Sequence, residues 1–403
     1  MAIYTSAILI SLILIWIINN IFINRHSFGY YFFSIISLLP TTIIAGIRDL
    51  TVGTDIRHYI TPNFTVAQNY YNLIDYVRYV NNIKTAYVDT VNHTEMGYSV
   101  LVYIVAKLSS NPMWLLFTIQ AITVLAIYIG LNVFHTKNNQ ISVTFGMMVY
   151  YTLFFGPSLN IMRQTLAASL VFLSVALLYR NFYIRSFIIL LIATQFHLSS
   201  LVGIIIFVIY IWVRNSKKNK LTFNIPSFVY MLVVFMVVLV TGPLVFKGLQ
   251  YIVGQTSLLQ KYSSSLDYTG GYSLSGTLLF VISDFFLFII LNIVEKIQKF
   301  SIFDKKDYLA YLFYILTLFT VFFFGMYSFQ NVVPRLGIFF SIFRVASYSY
   351  YISKIKALDL KIISSISVTI LLFVIFFKVT LSGSGEIFPY TSQILFNFIN
   401  NLV

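Results

Sequence analysis

Apolar runs of about 17 to 23 residues, separated by short polar stretches, recur along almost the whole chain. An α-helix needs about 20 such residues to cross about 30 Å of hydrocarbon, whereas strands of a membrane barrel would be shorter and would alternate. The pattern therefore predicts twelve helical crossings. They are Ile3 to Ile23, Tyr30 to Ile47, Pro112 to Phe134, Ile141 to Pro157, Thr165 to Tyr179, Phe182 to Phe196, Leu198 to Val213, Ser227 to Phe246, Gly276 to Val294, Tyr308 to Phe329, Leu336 to Ile352 and Ile362 to Thr380. One further run, Gly97 to Ser110, is apolar but only about 14 residues long, which predicts a re-entrant or interfacial helix. Counting it as a crossing would invert its neighbours, and an inverted first hairpin with the long loop inside is the rival arrangement.

Charge orients these elements. The connections "RNFYIR", "RNSKKNK", "EKIQKFSIFDKKD" and "SKIKALDLK" are short and rich in Lys and Arg, so they belong on the cytoplasmic side and both chain ends fall outside. The polar stretches left outside include three long ones within a single membrane domain, residues 1–403. The first begins at Arg48, reaches Glu95 and, with the re-entrant run, covers 48–111; the second covers 247–275; the third is the tail 381–403. Within the first, "YYNLIDYVRYV" carries weak helical periodicity at Tyr70, Leu73, Ile74, Val77 and Val80, which predicts a surface helix with aromatics at headgroup level. Within the second, "DYTGGYSLSG" reads as a lid. The first apolar run lacks a basic n-region and a small-residue cleavage site, so it is expected to be retained.

Composition agrees with this picture and removes others. Of 403 residues 59% are apolar and 18% aromatic, more than a water-soluble core could hide. There is no cysteine, hence no disulfide and no thiol chemistry. The net charge of +14 is accounted for by basic loops between helices and predicts no nucleic-acid partner. No P-loop, Rossmann fingerprint, HExxH or metal-holding carboxylate motif occurs, so neither a metal nor another cofactor is expected.

Only 9% of the chain is charged, yet "GIRDLTVGTDIRHYI" sets two arginines beside two aspartates at the end of an apolar helix. An ionisable group near membrane depth is costly unless it is paired or faces a wet cavity, so each such residue is a functional candidate. The outer side collects Arg48, Asp49, Asp55, Arg57, Glu95, Arg163 and Gln164 in "GPSLNIMRQT", His197 in "ATQFHLSS", Arg335 in "QNVVPR", and Tyr390 in "IFPYTSQ". Gly156 and Pro157 are expected to break one helix before the next begins. Arginine suits diphosphate because its planar fork stays charged and donates at fixed angles. Arg48, Arg163 and Arg335, brought together by folding, would hold one at the outer leaflet; each alone also fits a headgroup anchor. Asp55, Glu95 and His197 are candidates for a base, against the simpler roles of salt bridge, helix cap or structural histidine. Asp284, inside a span, is expected to pair with a cation on a neighbouring helix. Tyr59, Tyr98 and Tyr390 could stack on sugar rings.

The outer "GIRDLTVGTD", then "EMGY", "IMRQ" at a broken helix, "FHLSS" at the next outer turn and a late Pro-Tyr occur in an order that resembles the Wzy polysaccharide polymerases, in particular their EpsG-like branch. The resemblance runs from about residue 46 to 200, with a weaker match in the tail. It implies an all-α polytopic architecture like that of the membrane GT-C class. It also implies a metal-independent, inverting glycosyltransferase of O-antigen, capsule or exopolysaccharide synthesis. Such an enzyme joins undecaprenyl-pyrophosphate-linked repeat units at the outer face of the bacterial cytoplasmic membrane. Its partners would be those lipid-linked glycans, membrane lipids and a chain-length regulator. Carried onto this chain, the resemblance makes Arg48, Asp55, Glu95, Arg163, Gln164 and His197 the candidate site, with the base open among Asp55, Glu95 and His197. A lipid-linked oligosaccharide flippase is the rival from another class, but its charges would follow a central path with short loops. A ligase would differ in its acceptor. A membrane acyltransferase would need a histidine with partners that are not evident.

Overall fold

In a computed structural model of the chain, the described residues are 1–22, 25, 27–83, 91, 93–136, 141–216, 228–255, 274–298, 307–328 and 333–401. They form helices and, among the described residues, no strand, as an all-α polytopic membrane protein should. Eight helices among them are long and apolar enough to cross a membrane: Ala2–Ile21, Phe28–Gly46, Met113–Phe134, Met162–Tyr179, Leu198–Asn215, Thr277–Gln298, Tyr308–Gly325 and Leu358–Leu381. Met96–Leu108, Val143–Leu153, Tyr183–Thr194 and Val229–Gly242 are shorter apolar helices.

The chain divides into two compact units, residues 1–201 with 372–403, and residues 202–371. The first contains α1 (Ala2–Ile21), α2 (Phe28–Gly46), α3 (Thr61–Asn69), α4 (Leu73–Asn81), α5 (Met96–Leu108), α6 (Met113–Phe134), α7 (Val143–Leu153), α8 (Phe155–Asn160), α9 (Met162–Tyr179) and α10 (Tyr183–Thr194). At its centre is α9, buried along nearly its whole length. Small residues explain how: Ala167, Ala168, Ser169, Ser174 and Ala176 let neighbouring backbones come close. Ser174 and Ser186 exchange hydroxyl-to-carbonyl hydrogen bonds, each 2.7 Å, between α9 and α10. Against α6 the fit is tighter still, since a Cβ on Gly130 would lie 2.6 Å from Phe172 Cε1.

Some of these expectations hold and others change. The run 141–157 is split at Phe154 (φ −120°, ψ −12°), and the chain breaks again at Ile161 (φ −95°, ψ 59°). Pro157 has no N–H for the Leu153 carbonyl four residues earlier and α7 ends at Leu153, so the expected break falls just before Gly156 and Pro157, which lie in the first turn of α8. The run 97–110 becomes α5, thirteen residues long, about 20 Å of rise against about 30 Å of hydrocarbon. In α4 the inward residues are Tyr76 and Val80, while Ile74 is 63% exposed, so the helix packs on its aromatic side instead of presenting the whole expected stripe outward.

The second unit contains α11 (Val202–Ser216), α12 (Phe228–Gln255), α13 (Leu274–Gln298), α14 (Tyr308–Gly325), α15 (Ile338–Ser341) and α16 (Arg344–Ser353). Helix α12 continues past Lys247 to Gln255, so the start of the second outer stretch is helical; the glycine-rich part of the expected lid lies outside the described residues. The run 336–352 is broken into the turn Val333–Gly337, α15 and α16. Asp284 finds the expected cation in Arg344 of α16. The guanidinium donates to both carboxylate oxygens and, at 2.6 Å, to the carbonyl of Phe280, while Tyr348 donates to Asp284 at 2.7 Å. Helix α17 (Leu358–Leu381) carries the chain from the second unit back to the first, where α18 (Gln393–Asn400) follows.

One junction in the first unit positions everything treated below. The turn after α2, the link from α8 to α9 and residues 383–393 meet there. Arg48 is 1% exposed and donates to the carbonyls of Val52 (3.1 Å), Leu159 (3.0 Å) and Ala45, and to Met162 Sδ. Asn160 accepts from the backbone N–H (3.1 Å) and hydroxyl of Thr54. Gly53 donates to the Glu386 carbonyl (3.0 Å), Asp49 N–H to Thr391 O (3.0 Å), and the Ser392 hydroxyl to Ile47 O (2.6 Å). Gly53 has φ +108° and any Cβ there would sit 2.6 Å from Leu159 O, so only glycine lets the two backbones touch.

Two stability outcomes follow in detergent-solubilised protein. Asp284→Ala leaves Arg344 buried without its counter-charge and should cost about 3–5 kcal/mol, with much of the loss recovered in Asp284→Leu/Arg344→Met. Gly53→Ala should cost about 1–3 kcal/mol, since both backbone strain and a backbone clash oppose it. Thermal unfolding measures both, and wild-type melting in either single variant would contradict the packing described.

Candidate functional site

The start of α9 gathers most of the candidates. Asp55 Oδ2 accepts the Met162 N–H at 3.0 Å, so the carboxylate caps α9 from another segment and occupies the anion position at its N-terminus. The next residue, Arg163, donates from Nη1 to Glu95 Oε2 at 2.7 Å, with 12% of its side chain exposed against 21% for Glu95. Glu95 Oε1 accepts the Leu198 N–H at 3.1 Å, which ties it to the turn carrying His197. That contact depends on Gly97, whose Cβ would fall 2.6 Å from Gln195 Cβ, and the Tyr98 N–H donates to Gln195 O at 3.1 Å. The motifs "EMGY" and "ATQFHLSS" are thus in direct contact. His197 Nδ1 accepts the Ser199 N–H at 3.2 Å, which in the neutral ring leaves the proton on Nε2.

Aromatic rings enclose the cation. Tyr59 lies in a π-helical turn, Ile56–Ile60, and its ring centroid is 3.8 Å from Arg163 Cζ; the Tyr98 ring is at 5.5 Å. Such a turn, common at functional sites, adds a residue to the helical repeat and re-aims the side chains that follow. Both tyrosines therefore flank the guanidinium, a role that sugar stacking did not anticipate. Arg163 keeps Nε buried and without a partner, so Glu95 uses one corner of the fork and the Nε edge is left over. Gln164 is buried beside it in α9.

Other candidates do structural work or belong to the second unit. Arg48 was expected to hold diphosphate, but its donors are spent on carbonyls within the junction. Desolvation draws its pKa down to about 10 against the opposing pull of Tyr4, Tyr390 and Asp55, so it stays charged at neutral pH. Arg57 pairs with Glu386 across an exposed bridge. Tyr390 donates to the Ile44 carbonyl at 3.1 Å and meets Tyr4 edge to face at 5.1 Å, so it anchors residues 383–393. Arg335 belongs to the second unit, in the exposed turn Val333–Gly337. Among the described residues no group of three or more His, Asp or Glu gathers as a metal site would require. Asn160 and Glu386, which bind the junction together, were missed. Lone polar residues in loops carry no periodic signal, although "SGSGE" announces a turn.

No curated protein and no solved structure matches this chain. A family model, that of the EpsG family, matches residues 31–392, which takes in α2, the whole of the Arg163 cluster and the tail up to Ser392. The match covers most of the chain's 403 residues. With its helices, this supports a role of the polysaccharide-polymerase kind in a bacterial membrane. The chain belongs to the EpsG family.

Proposed function

We propose that this chain is a metal-independent, inverting glycosyltransferase that joins undecaprenyl-pyrophosphate-linked repeat units at the outer face of the cytoplasmic membrane. The observation that carries the reading is Arg163: a guanidinium held by Glu95, flanked by Tyr59 and Tyr98, with its Nε edge unfilled. A planar fork with one free edge suits the oxygens of a diphosphate. In the reaction a hydroxyl of the acceptor glycan attacks the anomeric carbon of the donor from the face opposite the diphosphate. The C–O bond to the diphosphate breaks as the new glycosidic bond forms, which inverts the configuration. Arg163 neutralises the charge gathering on the leaving group where water is largely excluded. The proton of that hydroxyl passes to one of Asp55, Glu95 and His197, while Glu95 in addition holds the Arg163 guanidinium in place. Two lipid tails confined to one bilayer supply positioning.

Purified protein incubated with synthetic lipid-pyrophosphate repeat units should give a ladder of products without added metal or nucleotide and in the presence of EDTA. Arg163→Ala and Glu95→Gln should each lower the rate by about a hundredfold or more. Recovery of unchanged substrate from wild type would overturn the polymerase reading, and transfer to lipid A in place of a repeat unit would make the protein a ligase. A cysteine replacing Tyr71, which is wholly exposed, should react with an impermeant thiol reagent added to intact cells. Labelling only after lysis would put this loop in the cytoplasm.

A further inference from the structure

Two buried donors at the candidate site have nothing to bond to. Tyr98 is 0% exposed and, among the described residues, its hydroxyl has no partner; Arg163 Nε, in the same cluster, has none there either. The phenol ring centroid lies 5.5 Å from the Arg163 guanidinium carbon, so the two orphans are carried by neighbouring side chains. Other buried side-chain atoms, the Tyr150 and Tyr314 hydroxyls among them, share this state, but here two of them sit on neighbouring residues of the candidate site. A buried polar atom without a partner gives up its hydration for nothing, and each one in a folded protein calls for an explanation such as a ligand or water. A phenylalanine would fill the same volume without that penalty.

We infer that the Tyr98 hydroxyl and Arg163 Nε form a paired donor site for the oxygens of a diphosphate, with Tyr98 a substrate-binding residue in its own right. This rests on the proposed polymerase reading and deepens it. A neutral phenol donating to an anionic oxygen makes a charge-assisted bond, stronger than the neutral kind. Tyr98 adds no charge of its own, so it complements Arg163 without repelling it. Tyr59, across the 3.8 Å stacking contact, holds the guanidinium plane while both donors engage. The cost of leaving the hydroxyl unmatched is then carried by the ligand-free protein and relieved on binding.

The test is Tyr98→Phe, read in two ways on full-length protein in nanodiscs. Binding of a short-chain polyprenyl pyrophosphate and of inorganic pyrophosphate is measured by calorimetry, and melting of the ligand-free protein by thermal unfolding. Tyr98→Phe should weaken binding of the lipid-linked ligand by about tenfold or more. The ligand-free melting temperature should stay at or above that of wild type, an opposition that a merely structural tyrosine would not produce. An equal loss for inorganic pyrophosphate identifies the diphosphate itself as what Tyr98 recognises, and a loss confined to the polyprenyl form places the contact on the lipid-linked donor. Wild-type affinity for both ligands in Tyr98→Phe, or weaker binding with a lower melting temperature, overturns the inference while leaving the polymerase reading intact. If wild type binds neither ligand, both fall together.

Discussion

A charge taken out of water must be matched or it costs several kcal/mol, and in a chain this apolar that rule decides where nearly every ionised group sits. Arg48 is matched by carbonyls, Arg344 by Asp284 and Tyr348, and Arg163 by Glu95 and two aromatic faces. The three solutions differ in what they leave over. Arg48 is surrounded by carbonyls and a sulfur that take up its donors, and Arg344 is held by a carboxylate gripping two of its three guanidinium nitrogens. Arg163 alone among these three keeps a donor without an acceptor. A cation that is almost but not wholly satisfied can stay in place in the empty protein and still gain on meeting an anion.

The helical class and most crossings were legible because twenty apolar residues in a row have few other uses. Arg163, Glu95, Asp55 and His197 were legible as candidates because ionisable residues near helix ends are rare here. Their partners were not. That Asp55 caps α9, and that Arg48 faces its own carbonyls, depends on contacts 107 and 111 positions apart, which no local pattern encodes. The broken runs 141–157 and 336–352 were missed for a related reason. A chain breaks its helix where buried tertiary partners can take up the freed backbone groups, and apolar composition alone is blind to that. Tyr59 and Tyr98 were noticed as aromatics near the surface, but a π-helical turn and a buried ring are properties of the folded backbone.

Glycine and cation divide the labour at the site. Gly53 and Gly97 permit backbones to touch, so that one carboxylate can cap a neighbouring helix and another can reach both an arginine and an amide. The charged residues then make contacts that longer approach distances would forbid. Substituting a glycine would displace the same groups that substituting an arginine would remove.

The clasp formed by residues 383–393 on the turn after α2 has a bearing on biogenesis. Glu386 reaches Arg57, a partner that leaves the ribosome 329 residues earlier, and Ser392 reaches Ile47 across a gap of 345. During synthesis the early turn emerges with its aspartates, arginines and bare amides exposed, and it must wait while nearly all the remaining helices enter the bilayer. Competence therefore arrives late, as a property of the finished polypeptide, and a nascent chain halted midway would carry the Arg163 cluster without the clasp that steadies its entrance.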